Sequence, residues 1–264
     1  MYPVLHSILS DRKGDTVFTC FGIWHICFIL LTFALVALLF VLLRRKSGQA
    51  REKTALILID AAFGLYILDF FLMPFAYEMI DIEKLPFHIC TAMCVACFLS
   101  RHIRFLEKWR AHFALLGFIS NLVYLIYPAG LMWYSVHPLS YRVVQTLMFH
   151  GIMTAYGLLT IVFDKEEITF GKCYKDLIVL AGMTLWALIG NTLYNGAAGS
   201  YDHFFNWFFV VQDPFETLDI SVSRFVMPFV NIAIFFAVEM AVCLIFFAVG
   251  RITSARKNKP ELEG

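Results

Sequence analysis

This sequence predicts an all-α bundle of about seven membrane-spanning helices, and three observations carry the prediction. Apolar residues make up 60% of the 264-residue chain and charged residues only 16%, too few to coat a water-soluble surface. The apolar residues gather into runs long enough to cross a hydrocarbon core of about 30 Å. Short loops join these runs, and the cations in the loops fall mainly on one side.

The spans follow in chain order. Val17 to Leu43 is too long for a signal-peptide core and ends in Arg44, Arg45 and Lys46, a stop-transfer pattern, so it is expected to be retained. Thr54 to Tyr77 is the second. Leu85 to Ser100 is short and opens with Pro86, which a first helical turn tolerates, so this span is expected to be tilted, thinned or supported by its neighbours. Ala111 to Tyr127, Tyr141 to Phe163, Leu177 to Asn195 and Phe225 to Gly250 complete the set, and Gly196 and Gly199 point to unwinding at the end of the sixth. No Pro/Ser/Gly-rich linker divides the chain, so residues 1–264 read as a single domain with a basic tail at 251–264.

Orientation follows from the loop cations. Of 21 Lys and Arg, all but Arg12, Lys13, Lys84, Arg142 and Arg224 belong to one set of alternate loops and the C-terminal tail. That bias puts the N-terminus outside and the tail in the cytoplasm, as in a multi-pass protein of the plasma membrane. The net charge of +1 says nothing useful about partners; membrane phospholipids are the expected partners, no nucleic acid is expected, and protein partners are left open.

Polar residues inside such runs are costly and mark sites. Counted from the outer end of each span, Cys90 lies five residues in from Leu85, Asn121 six from Tyr127, Asp69 eight from Tyr77, His150 nine from Tyr141 and Asn231 six from Phe225. His88 lies just before Cys90, and Asn191 and Asn195 share a face at the end of the sixth span. The bland reading is interhelical glue at about 1 kcal/mol each, but glue has no reason to concentrate in one leaflet. Asp60 and Glu239 fall deeper or nearer the cytoplasm and break the pattern. The aromatic stretch His203 to Gln212 reads either as a re-entrant piece covering the polar cluster or as an irregular cap on helix ends.

Seven cysteines, an odd number lying mainly in apolar runs, are expected to be free thiols. Cys90, Cys94 and Cys97 share one helical face. Their C-x3-C-x2-C spacing matches radical adenosylmethionine enzymes, whose motif sits in a loop of a soluble barrel rather than in an apolar helix. His88 points roughly 200° from Cys90 on an ideal helix, so no metal site is expected there. No nucleotide-binding, metalloprotease or nucleophile-elbow motif occurs, and no cofactor is expected.

Three short motifs occur in order: Leu85-Pro86-Phe87-His88-Ile89-Cys90, Gln145-Thr146-Leu147-Met148-Phe149-His150-Gly151 and Gly190-Asn191-Thr192-Leu193-Tyr194-Asn195. This arrangement resembles the YwaF-like family of multi-span membrane proteins, bacterial relatives of a vertebrate acyltransferase that acts on ether phospholipids. The chain departs from that family after Asn195, where its usual Trp-Pro-rich ending is absent. The resemblance implies acyl transfer through Cys90 and His150. A thiol in an apolar site is inert until a base takes its proton, and an imidazole within reach can do so. Depths of about 7 Å for Cys90 and 14 Å for His150 are compatible with that pairing. Asp69, His88 or an asparagine is then the orienting group, Asn191 or Asn195 the oxyanion donor, and Asn121 and Asn231 line the pocket. A rival reading is a transporter or solute-binding protein with Asp69, His150 or Glu239 carrying a proton. The lack of a visible inverted repeat weighs against it. A non-catalytic accessory protein needs only the bland readings.

Overall fold

A computed structural model describes residues 2–11, 16–77, 82–132, 135–163, 168–196, 205–210, 222–223 and 225–257. Among these no strand occurs, and the chain is an all-α bundle. Its helices are α1 (Tyr2–Leu9), α2 (Ile23–Leu43), α3 (Gly48–Tyr77), α4 (Ile89–Leu99), α5 (Arg104–Glu107), α6 (Arg110–Ile126), α7 (Ala129–Met132), α8 (Tyr141–Phe163), α9 (Cys173–Gly196) and α10 (Met227–Lys257). Among the described residues six helices, α2, α3, α6, α8, α9 and α10, are long and apolar enough to cross a membrane. Gly199, and residues 203–204 and 211–212 of the expected aromatic stretch, lie outside the described residues.

The third expected span is where the structure departs most from the hydropathy pattern. The α4 helix has 11 residues, about 16 Å at 1.5 Å per residue, roughly half a bilayer core. Pro86 precedes the helix rather than entering its first turn, because a proline drives the residue before it into extended backbone. Residues 85–88 form turns, and His88, at φ −73° and ψ 141°, is the N-terminal capping position. Carbonyls in and beside this irregular stretch are satisfied from neighbouring helices: the Trp186 indole donates to the Pro86 oxygen at 2.7 Å and the Tyr66 hydroxyl to the Lys84 oxygen at 2.9 Å. Irregular backbone inside a membrane bundle persists only with such partners.

The first span also starts later than expected, at Ile23. Before it, the Phe18 amide donates to the Val136 carbonyl at 2.8 Å and the Phe18 ring is buried. His25 then joins two helices: its Nδ1 accepts from the Phe21 amide at 3.0 Å, which leaves Nε2 to donate to the Leu125 carbonyl at 2.9 Å. The α9 helix stays helical through Gly196, the first of the two glycines at which unwinding is expected.

Burial separates the helices into a centre and a rim. The apolar windows of α6 and α8 are 59% and 61% buried, those of α2 and α10 only 11%, so α6 and α8 form the central seam. Gly157 on α8 lets them approach, since a Cβ there would meet Phe118 Cβ at 2.6 Å and the Ala114 carbonyl at 2.7 Å. Gly151 likewise faces Thr32 on α2. At the basic end of the bundle Asp60 forms an ion pair with Arg101, which accounts for one of the two carboxylates outside the expected pattern.

Candidate functional site

The close α6–α8 approach fixes a register. Ala114 faces Gly157, and seven residues along each helix, in opposite directions, Asn121 faces His150. Seven residues are two turns, so both pairs lie on one face of each helix. The Asn121 Oδ1 lies 2.7 Å from His150 Nδ1, and Asn121 Nδ2 donates to the Gly117 carbonyl at 2.7 Å. Turning the amide over would set two oxygens against each other at Gly117, so the orientation is determined by its own bonds. An oxygen facing Nδ1 requires the proton on Nδ1. The imidazole Nε2 then carries the free lone pair, which is the arrangement a general base needs. The Tyr124 ring packs on the imidazole with centroids 4.0 Å apart, and both His150 and Asn121 are buried.

Cys90 meets the same turn of α6 from the opposite helix. Its thiol lies within interaction range of the Ser120 side chain, adjacent in sequence to Asn121, and the Ser120 hydroxyl donates to the Gly117 carbonyl at 3.2 Å. Cys90 is the second residue of α4, where the first amides lack intrahelical acceptors and the helix dipole is positive. The first amides of α4 are therefore free to face a group bound to the sulfur.

Asp69 enters from α3 but does not touch His150. Its carboxylate pairs with the Lys84 ammonium at 2.8 Å, with only 5% of its side chain exposed. Lys84 lies within electrostatic range of both His88 and His150. The ion pair therefore places a compensated cation beside the imidazoles. The sequence reading missed Lys84 as a member of this cluster, having assigned it to an outer loop, and missed Ser120. The polar doublet Ser120-Asn121 inside an apolar run was the signal that pointed to it.

Asn191, Asn195 and Asn231 have another employment. Asn191 exchanges two hydrogen bonds with the Trp207 backbone, at 2.9 Å to the amide and 3.0 Å to the carbonyl. Asn195 does the same with Phe205, at 2.8 and 2.7 Å. Asn231 donates to the Phe208 carbonyl. These amides hold an irregular segment, 205–210, in which Phe208 and Phe209 both adopt left-handed backbone (φ 58° and 51°), a conformation that costs a non-glycine residue about 1–2 kcal/mol. The clasped segment buries Phe205, Trp207, Phe208 and Val210. Trp207 stacks on Phe205 at 4.6 Å and tilts against Phe87 at 4.9 Å. Phe87 fits over Gly190, where a Cβ would fall 2.4 Å from the ring. The aromatic stretch thus holds the corner that leads into Cys90, and the asparagines serve as its clasp.

Cys94 and Cys97 are buried free thiols in the apolar contact between α3, α4 and α8. Among the described residues no group of His, Cys, Asp and Glu has the geometry to hold a metal ion.

Six apolar spanning helices around a central polar seam define a multi-pass integral membrane protein. The sequence profile of the TMEM164 family, a family of membrane proteins, matches residues 20–250, and the chain belongs to that family. The match covers the α4 corner, the α6–α8 seam and the asparagine clasp. No curated protein and no solved structure matches the chain.

Proposed function

We propose that this protein transfers acyl chains between phospholipids through a thioester on Cys90, with His150 as the base. The observation that carries the proposal is the Asn121–His150 bond, which leaves Nε2 unprotonated on the seam whose adjacent residue, Ser120, lies within interaction range of the Cys90 thiol. The likeness to YwaF-like proteins and their ether-phospholipid acyltransferase relatives, carried by the motifs around Cys90 and His150, supports the same reading.

The steps balance without a co-reactant. His150 Nε2 takes the Cys90 proton, and the thiolate attacks an ester carbonyl of the donor lipid. The amides at the start of α4 then face the oxyanion, in place of Asn191 and Asn195, whose amides are spent on the clasp. As the intermediate collapses, the ester C–O bond breaks and the imidazolium protonates the departing lysophospholipid oxygen. An acceptor lysophospholipid next gives its hydroxyl proton to Nε2 and attacks the thioester, and the thiolate leaves and regains the proton. The charge distribution of the loops supports a site opening to the outer leaflet of the plasma membrane.

The test uses the full chain in nanodiscs containing a labelled phosphatidylcholine donor and a lysophospholipid acceptor. Expected are label transfer and a hydroxylamine-labile acyl-protein, both lost in Cys90→Ala. Transfer that survives Cys90→Ala at the wild-type rate would overturn the proposal.

A further inference from the structure

At the other end of the α6–α9–α10 junction lies a second polar cluster that the acyl-transfer reading does not use. His112, in the first turn of α6, has its Nδ1 2.5 Å from Asp176 Oδ1 in the first turn of α9, and both side chains are buried. Glu239, midway along α10, is 0% exposed, and neither of its carboxyl oxygens has a hydrogen-bond partner. The His112 Nε2 is equally buried and unpartnered. Asp176 lies within electrostatic range of Glu239, and both lie within range of Cys243 on α10. Leu115, Phe118 and Ile119 of α6 pack against Val242, Cys243 and Phe246 of α10 and seal the junction with hydrocarbon.

An ionised carboxylate with neither partner nor water in such a place would cost several kcal/mol, whereas the neutral acid forgoes only hydrogen bonds. The acidic and thiol neighbours point the same way. Asp176 from α9 repels a second negative charge, and the Cys173 and Cys243 thiols bring no positive one. The nearest described lysine in sequence, Lys175, places its ammonium over the Trp109 ring, 5.9 Å from the centroid. We propose that Glu239 is a proton-binding site: it carries a proton in the folded protein, and the adjacent His112–Asp176 pair is the acid–base couple through which that proton exchanges with the basic end of the bundle. The chain thus holds a protonatable centre independent of the thiol chemistry, of the kind used in proton-linked conformational change.

The experiment is infrared spectroscopy of the full chain in nanodiscs across pH, with thermal melts of the same samples. Wild type is expected to show, at neutral pH, a protonated-carboxyl carbonyl band that shifts in D2O and that Glu239→Gln lacks. Its melting temperature should fall as pH rises above neutral, because the folded state holds a proton that the unfolded chain has released. Glu239→Gln, which mimics the neutral acid, should lose that part of the slope, so that it melts above wild type at neutral pH and the two converge toward acid pH, where the unfolded carboxyl is also protonated. Should the Gln variant not fold, Asp176→Asn keeps the test open, since the band must persist there and remain bleachable at higher pH. An absent band, or a melting temperature that rises with added sodium or potassium in wild type alone, would assign an ionised carboxylate with a metal cation and overturn the proposal.

Discussion

The α6–α8 seam and the α9–α10 clasp both present asparagines to the interior, and they spend them differently. In the seam, Asn121 uses one end of its amide on its own helix and the other on a titratable ring. In the clasp, Asn191 and Asn195 spend both ends on the backbone of 205–207, and Asn231 joins them at Phe208. The same side chain orients a base in one place and replaces a missing secondary-structure ladder in the other. A buried amide therefore acquires its meaning from its partner.

The seam's geometry rests on Gly157, and the largest effect is expected there. In Gly157→Val the added carbons must displace Phe118 and the α6 backbone, which cannot yield as a flexible side-chain tip would. Overpacking of this kind costs about 1–3 kcal/mol or more. The variant should melt well below wild type in detergent and lose acyl transfer as Asn121 leaves His150. An unchanged melting temperature would mean that the two helices are not held at this distance. Gly190→Ala makes the matching test for the clasp, with the Phe87 ring as the obstacle.

The asparagines themselves give the sharpest contrast. Asn191→Ala leaves the buried Trp207 amide and carbonyl unpaired, at about 1–3 kcal/mol for each such group. The expected signs are a lowered melting temperature and proteolytic cleavage near 205–210, with residual transfer in the molecules that stay folded. Asn121→Ala should cost less stability, about 1 kcal/mol, but reduce transfer by two orders of magnitude or more, because the imidazole is then free to place its proton on Nε2. Its pH–rate profile should change shape while that of Asn191→Ala does not. If both variants lose activity only in proportion to stability, the two regions do one job and the distinction fails.

Hydropathy made most of the fold legible, because α2, α3, α9 and α10 turn much of their length to lipid and a long apolar run is what that demands. It overstated Leu85 to Ser100 because composition does not register that Trp186 and Tyr66 satisfy an irregular Pro86 corner from two other helices. Cys90, Asn121 and His150 were readable as polar residues at similar depth. The facing of Asn121 and His150 was not, since it depends on an α6–α8 register that Gly157 alone does not announce. His25, between Phe21 and Leu125, shows the converse: a buried histidine with both nitrogens spent on backbone, which gives the sequence no pattern to read.

The smallest expected effect concerns Asp60, one of the two carboxylates that break the outer-leaflet pattern of polar residues. Its side chain is 50% exposed and paired with Arg101 at the basic end, and an ion pair so open to solvent contributes about 0–1 kcal/mol. Asp60→Asn should therefore shift the melting temperature by a degree or two at most and leave acyl transfer at the wild-type rate. Arg101→Gln should behave alike, with any loss diminishing as salt is raised because the pair is screened. If Asp60→Asn instead abolished activity while Arg101→Gln spared it, the carboxylate would be acting on something other than its arginine. The seam would then be the outer end of a longer pathway, and the comparison to draw would run along the membrane normal, from His150 to Asp60.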